Sequence, residues 1–191
     1  ASEIGLRTFD EINAAMATMT GVDPADLQAS FLTMRRSLPS TETIEGFLAA
    51  QQMSITQLAI EYCDALVENA GLRNAFFDGA VNAPTTFDFN APVATAFAGG
   101  KAAVIVDDLY TKMIGLPGTG LDLSDAPTRS DIQQVLVDGY PDVDLAGDPY
   151  PVASLFDTMS TGCTACDAND TRSIVKGLCG AVLGSAAMLV Q

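Results

Sequence analysis

The chain has 191 residues, a length that suits one domain with a core large enough to fold without cross-links. Acidic residues outnumber basic ones by 24 to 9, and the only adjacent basic pair is Arg35-Arg36. Because nucleic-acid binding depends on clustered Lys and Arg, this composition excludes it. The sequence contains no His, the side chain most used for acid–base catalysis near neutral pH, so an enzyme is the less expected class.

The first 72 residues are predicted to form a bundle of helices. Apolar residues recur there at helical spacing, and helix-capping patterns precede them. Ser54 with Gln57 repeats such a pattern inside the third run, so residues 41–70 are either two helices or one with a kink. The predicted helices run from the capping box of Thr8 and Glu11 to Gly21, from Asp23 to Pro39, and over 41–53 and 54–70.

Residues 73–128 are predicted to be loop-rich with one helix. Periodicity is lost over 71–99, so we expect a long packed loop that its aromatic side chains pin to the bundle. Two of these side chains, Phe76 and Phe77, are candidate contacts for a protein partner. Residues 101–115 favour a helix, although the run from Val104 to Val106 would also suit a buried strand.

Helices return in residues 129–191. The predicted elements are a short helix capped by Ser130 with Gln133, a loop from Asp142 to Pro151, a helix from Val152 to Gly162 and a long helix from about Thr171 to the C-terminus. The three parts together predict an all-α, disulfide-linked helical bundle with long loops, arranged as a single domain over residues 1–191.

The four cysteines are the most informative residues of the sequence. Cys63 and Cys179 fall inside predicted helices, whereas Cys163 and Cys166 lie in a loop with two residues between them. The chain opens at Ala1, as it would after removal of a leader, excision from a precursor or loss of the initiator. An even cysteine count in such an acidic chain favours disulfides formed in the periplasm, at the cell surface or outside the cell. The preferred connectivity is Cys63–Cys179 with Cys163–Cys166.

Two other uses of these cysteines stay open, and a third is excluded. The spacing of Cys163 and Cys166 resembles a redox motif, but it follows a helix rather than a strand. A zinc site formed from the cysteines is the second alternative. Covalent haem attachment would need His after Cys166, where the chain has Asp167 instead.

A weak candidate for a cation site lies in the acidic segment 142–148. Asp142, Asp144 and Asp148 resemble the opening of a calcium loop, whose ligands are carboxylate and carbonyl oxygens. The EF-hand pattern itself fails, because Ala146 and Ala153 stand where oxygen ligands are needed. A looser calcium site is therefore one hypothesis, and aspartates that cap turn backbone are the other. No other cofactor is predicted.

The closing helix carries no charged residue from Gly177 to Val190. That stretch is shorter than the roughly 20 residues a membrane span needs, so a buried helix is predicted and no span. Small residues recur along one side and would let another helix approach closely, either within the chain or in a self-associated assembly. The candidate interface residues are Gly177, Gly180, Gly184 and Ala187.

Five segments carry a family resemblance. They are Thr8-Phe-Asp-Glu-Ile-Asn13, Leu38-Pro39, Ile44-Glu-Gly-Phe-Leu48, Gln57-Leu-Ala-Ile-Glu-Tyr-Cys63 and Leu183-Gly-Ser-Ala-Ala-Met188. Together they resemble a helical region of large bacterial surface or secreted proteins with LamG-type, concanavalin-like domains. The resemblance implies a cell-envelope or extracellular setting and no established activity. No functional residue carries over, and neither does carbohydrate binding, because the chain has no LamG jelly roll of its own.

These observations favour a non-enzymatic structural or interaction module of an exported or cell-surface protein. Such a module would be a subunit of an extracellular or envelope assembly, held by protein partners or by self-association. The alternative is an acidic accessory domain that binds a cation or another ligand. A carboxylate-based enzyme is the third hypothesis, for which the sequence singles out no catalytic residues.

Overall fold

The computed structural model describes residues 8–38, 44–79, 87–114, 127–144 and 146–185, and over 44–49 it describes the backbone alone. Helices dominate these ranges, so the all-α prediction is confirmed. The helices are α1 (Phe9–Thr20), α2 (Gln28–Ser37), α3 (Ile44–Glu68), α4 (Ala70–Phe76), α5 (Val93–Ala96), α6 (Lys101–Leu109), α7 (Arg129–Gln133), α8 (Leu155–Thr161) and α9 (Ala168–Leu183). Strands β1 (Tyr140–Val143) and β2 (Pro149–Val152) form an antiparallel hairpin.

The first helix begins and ends as the sequence predicts, but the second does not. Thr8 Oγ1 accepts the Glu11 N–H, Glu11 Oε2 accepts the Thr8 N–H at 2.7 Å, and Gly21 ends α1 at a φ of 73°. The predicted start of α2 at Asp23 is wrong. The Asp23 carboxylate accepts the N–H two residues further on at 2.9 Å and stabilises a turn, so the helix begins only at Gln28.

Helix α3 is continuous and forms the centre of the core. Ser54 lies buried in its interior, so the alternative of two helices is wrong. Of the described pairs of elements, α3 and α9 share the most extensive contact. The α3 side chains that the apolar pattern placed on one face are all buried, namely Ile55, Leu58, Ala59, Tyr62, Cys63 and Leu66.

The segment predicted as a long packed loop contains helical structure. Asn69 Oδ1 accepts two backbone N–H groups, at 3.0 and 3.1 Å, and thereby caps α4, which covers part of the predicted loop. Helix α5 follows further along, and α6 confirms the helix expected over 101–115 in place of a buried strand. A π-helical turn then extends α6 as far as Ile114. The aromatic side chains of the segment are buried, as expected.

The last third of the chain differs from its prediction in several places. The helix predicted from Val152, α8, begins only at Leu155, because Val152 belongs to β2 and Ser154 caps the helix. The short helix α7 is capped by Thr128 with Asp131, not by Ser130 with Gln133, because the true pair forms reciprocal hydrogen bonds. The predicted loop from Asp142 is a β-hairpin instead. Its strands pair in register with Tyr140 opposite Val152 and Asp142 opposite Tyr150.

The closing helix, α9, is longer at its start than predicted. Asp167 accepts N–H groups from the first turn and caps the helix ahead of Thr171. The helix ends at Leu183, with Gly184 as its C-cap, and the candidate interface residue Ala187 lies outside the described residues. In the part of the chain that the structure describes, helices long and apolar enough to cross a bilayer are absent.

The glycines of α9 pack against other helices of the same chain. A Cβ atom at Gly180 would lie 3.4 Å from Ile60 Cγ1, and one at Gly184 would lie 3.4 Å from Ala59 Cβ, both on α3. At Gly177 a Cβ would collide with the Met159 side chain of α8. The prediction that these glycines form a surface for self-association is therefore corrected, because neighbouring helices of the same chain already cover them.

Replacement of Gly180 by residues of increasing size tests the close approach of α3 and α9. Gly180→Ala fits the available space and improves helix propensity, so we expect unchanged or raised stability. Gly180→Leu must displace Ile60, and we expect it to lose about 1–3 kcal/mol in the free energy of unfolding. Urea unfolding followed by circular dichroism measures both variants. Equal stability of the Ala and Leu variants would contradict the packing described.

Candidate functional site

The buried disulfide between Cys63 and Cys179 joins the two central helices. Their Cα atoms lie 5.9 Å apart, and both residues are completely buried between α3 and α9. This is the connectivity preferred from the sequence. The bond closes a loop across a separation of 116 residues, for which the chain-entropy model gives a stabilisation of about 4–5 kcal/mol. The cross-link therefore fixes the contact on which the rest of the core is assembled.

A second disulfide joins Cys163 and Cys166 in the turn between α8 and α9. Cys166 takes the left-handed conformation at a φ of 51°, and its carbonyl accepts the Val93 N–H at 3.0 Å. Because all four cysteines are paired in disulfides, the zinc alternative is wrong. The turn thus attaches the start of α5 to the start of α9.

A network of charged side chains crosses between α3 and α9 on the solvent side. Lys176 Nζ lies 2.7 Å from Glu68 Oε1 and also contacts Asp64, while Arg172 Nε lies 3.5 Å from the same Glu68 oxygen. The hydrogen bond from Lys176 lowers the pKa of Glu68. Burial alone would lower the pKa of Lys176, but hydrogen bonds to Asp64 and Glu68 raise it overall. Both groups are therefore held in their charged forms.

Arg73 of α4 is a buried cation beside this network. Its guanidinium donates to the Val67 carbonyl at 2.7 Å and lies 5.0 Å from the centroid of the Phe89 ring. Burial, together with the charge of Arg172, lowers the pKa of Arg73. The Arg73 side chain therefore has a structural role, because it links the end of α3 to Phe89.

Six phenylalanines form a continuous series of ring contacts that runs from α4 to α8. Consecutive centroids lie 4.7–5.5 Å apart, a spacing typical of favourable aromatic pairs. Phe76 and Phe77 begin this series and are almost completely buried, so the prediction that they contact a protein partner is wrong. The series runs in the order Phe76, Phe77, Phe89, Phe87, Phe97 and Phe156.

The three aspartates of the calcium hypothesis lie on the β-hairpin. Asp144 Oδ1 accepts the N–H groups of Ala146 and Asp148, at 2.8 and 3.0 Å, and Asp142 Oδ1 accepts the Val143 N–H at 2.8 Å. The carboxylates therefore cap backbone groups of the hairpin, as the second hypothesis stated. Among the described residues, the acidic side chains and cysteines form no group of three or more that could hold a metal ion. The calcium site is not supported.

Sequence reasoning missed the charge network and the buried arginine. A signal for the network was present, since Asp64 and Glu68 stand four residues apart on one helix and Arg172 and Lys176 four apart on another. The pairing of those two helices decides whether the groups meet, and the sequence pattern does not give that pairing. Arg73 carries no such signal, because its partners are a backbone carbonyl and an aromatic ring.

Comparison of the chain with protein-family models, curated protein sequences and solved structures finds no match. The resemblance to proteins with LamG-type domains therefore stays a prediction.

The lowered pKa of Glu68 makes a testable contribution to stability. The unfolded chain binds a proton at this group more readily than the folded chain, so acidification favours unfolding. We expect Glu68→Gln to cost about 1 kcal/mol or less at pH 7, because the Glu68 side chain is half exposed. The difference from the unmodified chain should disappear as the pH falls below about 4.

Glu61→Gln is the matched control for this prediction, because it removes the same charge from α3. Glu61 makes no ion pair with a described residue. Urea unfolding at several pH values between 7 and 3 measures all three proteins. If the destabilisation by Glu68→Gln stays constant down to pH 3, the carboxylate does not stabilise the contact through its charge.

Proposed function

We propose that this chain is a non-enzymatic structural or interaction module of an exported or cell-surface protein, and a subunit of an extracellular or envelope assembly. The observation that carries the proposal is the Cys63–Cys179 disulfide at the centre of the core. Structural disulfides form and persist in oxidising compartments and are rare in the cytosol. A cross-link that joins the two central helices is part of the folded architecture, which supports folding outside the cytosol.

The surface supports a role in protein contact. Large apolar side chains are exposed at six described positions, and three of these lie on the β-hairpin, with Tyr140 and Tyr150 on one face and Val143 on the other. Single exposed apolar residues are ordinary, whereas a group of them marks an interaction surface. The hairpin therefore replaces the glycines of α9 and the buried phenylalanines as the proposed contact region.

The resemblance to proteins with LamG-type domains agrees with this proposal. It would place the chain in the cell envelope or outside the cell, beside larger surface domains. The acidic composition also suits a protein in the envelope or outside the cell, because a formal net charge of −15 favours solubility and discourages nonspecific association. No binding residue is transferred through this resemblance.

Cell fractionation followed by sedimentation velocity of the natively isolated protein tests the proposed function. We expect the chain in the envelope or extracellular fraction, in particles much larger than the 19.9 kDa of one copy. Electron microscopy of the same material should show oligomers or fibres. The isolated recombinant chain at equal concentration is the control for self-association. Recovery of a cytosolic monomer would contradict both the proposed export and the proposed role as a subunit of an assembly.

A further inference from the structure

The hairpin formed by β1 and β2 projects apolar and acidic side chains into solvent. Every residue of the two strands except Val152 is exposed. An isolated two-stranded hairpin is only marginally stable in water, and contact with another surface usually stabilises it. A depression of about 460 Å³ lies along the hairpin and is lined by Tyr140, Tyr150 and the strand prolines. The side chains of the hairpin are therefore available for contact with another molecule.

The edges of the hairpin are closed to strand addition. Pro141 lies opposite Pro151, and neither has an N–H group, so this pair occupies a position where the N–H would point away from the partner strand. The next pair but one, Val143 opposite Pro149, has the same orientation, so its backbone nitrogens also point outward. Three of these four positions are prolines, and the Val143 N–H donates to the Asp142 carboxylate at 2.8 Å. Strand addition at either edge would therefore lack backbone donors from the hairpin, so we expect a partner to contact its faces through side chains.

One face of the hairpin combines two aromatic rings with a carboxylate. Tyr140 and Asp142 are two residues apart on β1, so their side chains point to the same face. Tyr150 lies directly opposite Asp142 on β2, so its side chain shares that face. The Tyr150 hydroxyl lies 3.5 Å from Asp142 Oδ2. A guanidinium group can stack on a tyrosine ring while it binds a carboxylate, and arginine is enriched at protein interfaces for this reason.

The charges around this face favour a cationic partner. The sequence has no Lys or Arg from Ser130 to Thr171, and the described ion pairs all lie elsewhere. A second copy of this acidic chain would be repelled, because it carries the same net charge of −15. The aspartates of the segment are Asp131, Asp138, Asp142, Asp144, Asp148, Asp157, Asp167 and Asp170.

We propose that the face formed by Tyr140, Asp142 and Tyr150 binds an arginine-bearing segment of another protein. The guanidinium pairs with the Asp142 carboxylate and stacks against the tyrosine rings. This inference rests on the proposed function and adds to it the site and the chemistry of the partner.

The experiment uses two short capped peptides with a Gly-Ser background and the full chain with its disulfides intact. One peptide carries two arginines, and its twin carries two citrullines, which have the same shape without the charge. We expect the arginine peptide to shift the NMR signals of Tyr140, Asp142 and Tyr150, and the citrulline peptide to bind more weakly by about ten-fold or more. Binding should weaken as salt is added.

Variants separate binding at the hairpin from attraction to the acidic surface as a whole. Asp142→Asn and Tyr150→Leu should each weaken binding of the arginine peptide by about two- to five-fold, the range expected for exposed ion pairs and cation–π contacts. Asp26→Asn removes the same charge from the turn before α2 and should leave the affinity unchanged. Cross-strand contacts between residues 142 and 150 in the NMR spectra confirm that the hairpin is still formed in each variant.

Three results would overturn the inference: no binding of the arginine peptide, equal binding of the citrulline peptide, or an equal loss in Asp26→Asn and Asp142→Asn. These outcomes are distinguishable from failure of the proposed function. Natively assembled protein whose particles persist in Asp142→Asn and Tyr150→Leu would leave the assembly role intact and remove only the hairpin as its contact. A native monomer in the cytosol would remove the proposed function itself.

Discussion

The close contact between α3 and α9 is the constraint on which the other described packing depends. Gly180 removes the side chain that would keep the helices apart, and the Cys63–Cys179 bond holds them at that distance. On the solvent side, Lys176 bridges to Glu68 and stays charged. Close approach, covalent linkage and charge pairing thus act on the same pair of helices.

Residues 87–97 are attached to this pair through polar and aromatic contacts. Thr171 of α9 donates to the Ala91 carbonyl at 2.7 Å, and Arg73 stacks on Phe89. These contacts hold residues 89–91 against α9 and α4. Phe76 and Phe77, which the sequence analysis predicted to contact a partner, are therefore part of the core. The β-hairpin is different, since its strands remain exposed.

Local signals predicted the features that depend on few residues. The capping box of Thr8, the left-handed stop at Gly21 and the buried face of α3 all follow from spacing along one helix. Features that depend on tertiary contacts were missed or misassigned. The glycines of α9 fit either an internal or an external partner, and only the positions of their neighbours in the fold, Ala59, Ile60 and Met159, distinguish the two. The hairpin escaped prediction because its prolines and aspartates are typical of loops.

The disulfide between Cys63 and Cys179 holds the two central helices of the native protein together. Alkylation of the unfolded, non-reduced protein, followed by peptide mapping, measures this directly. We predict no alkylated cysteine and a cross-linked peptide pair that contains Cys63 and Cys179. Alkylation of all four cysteines, or a link between Cys63 and either cysteine of the loop, would contradict it. Either result would also remove the main support for an exported protein.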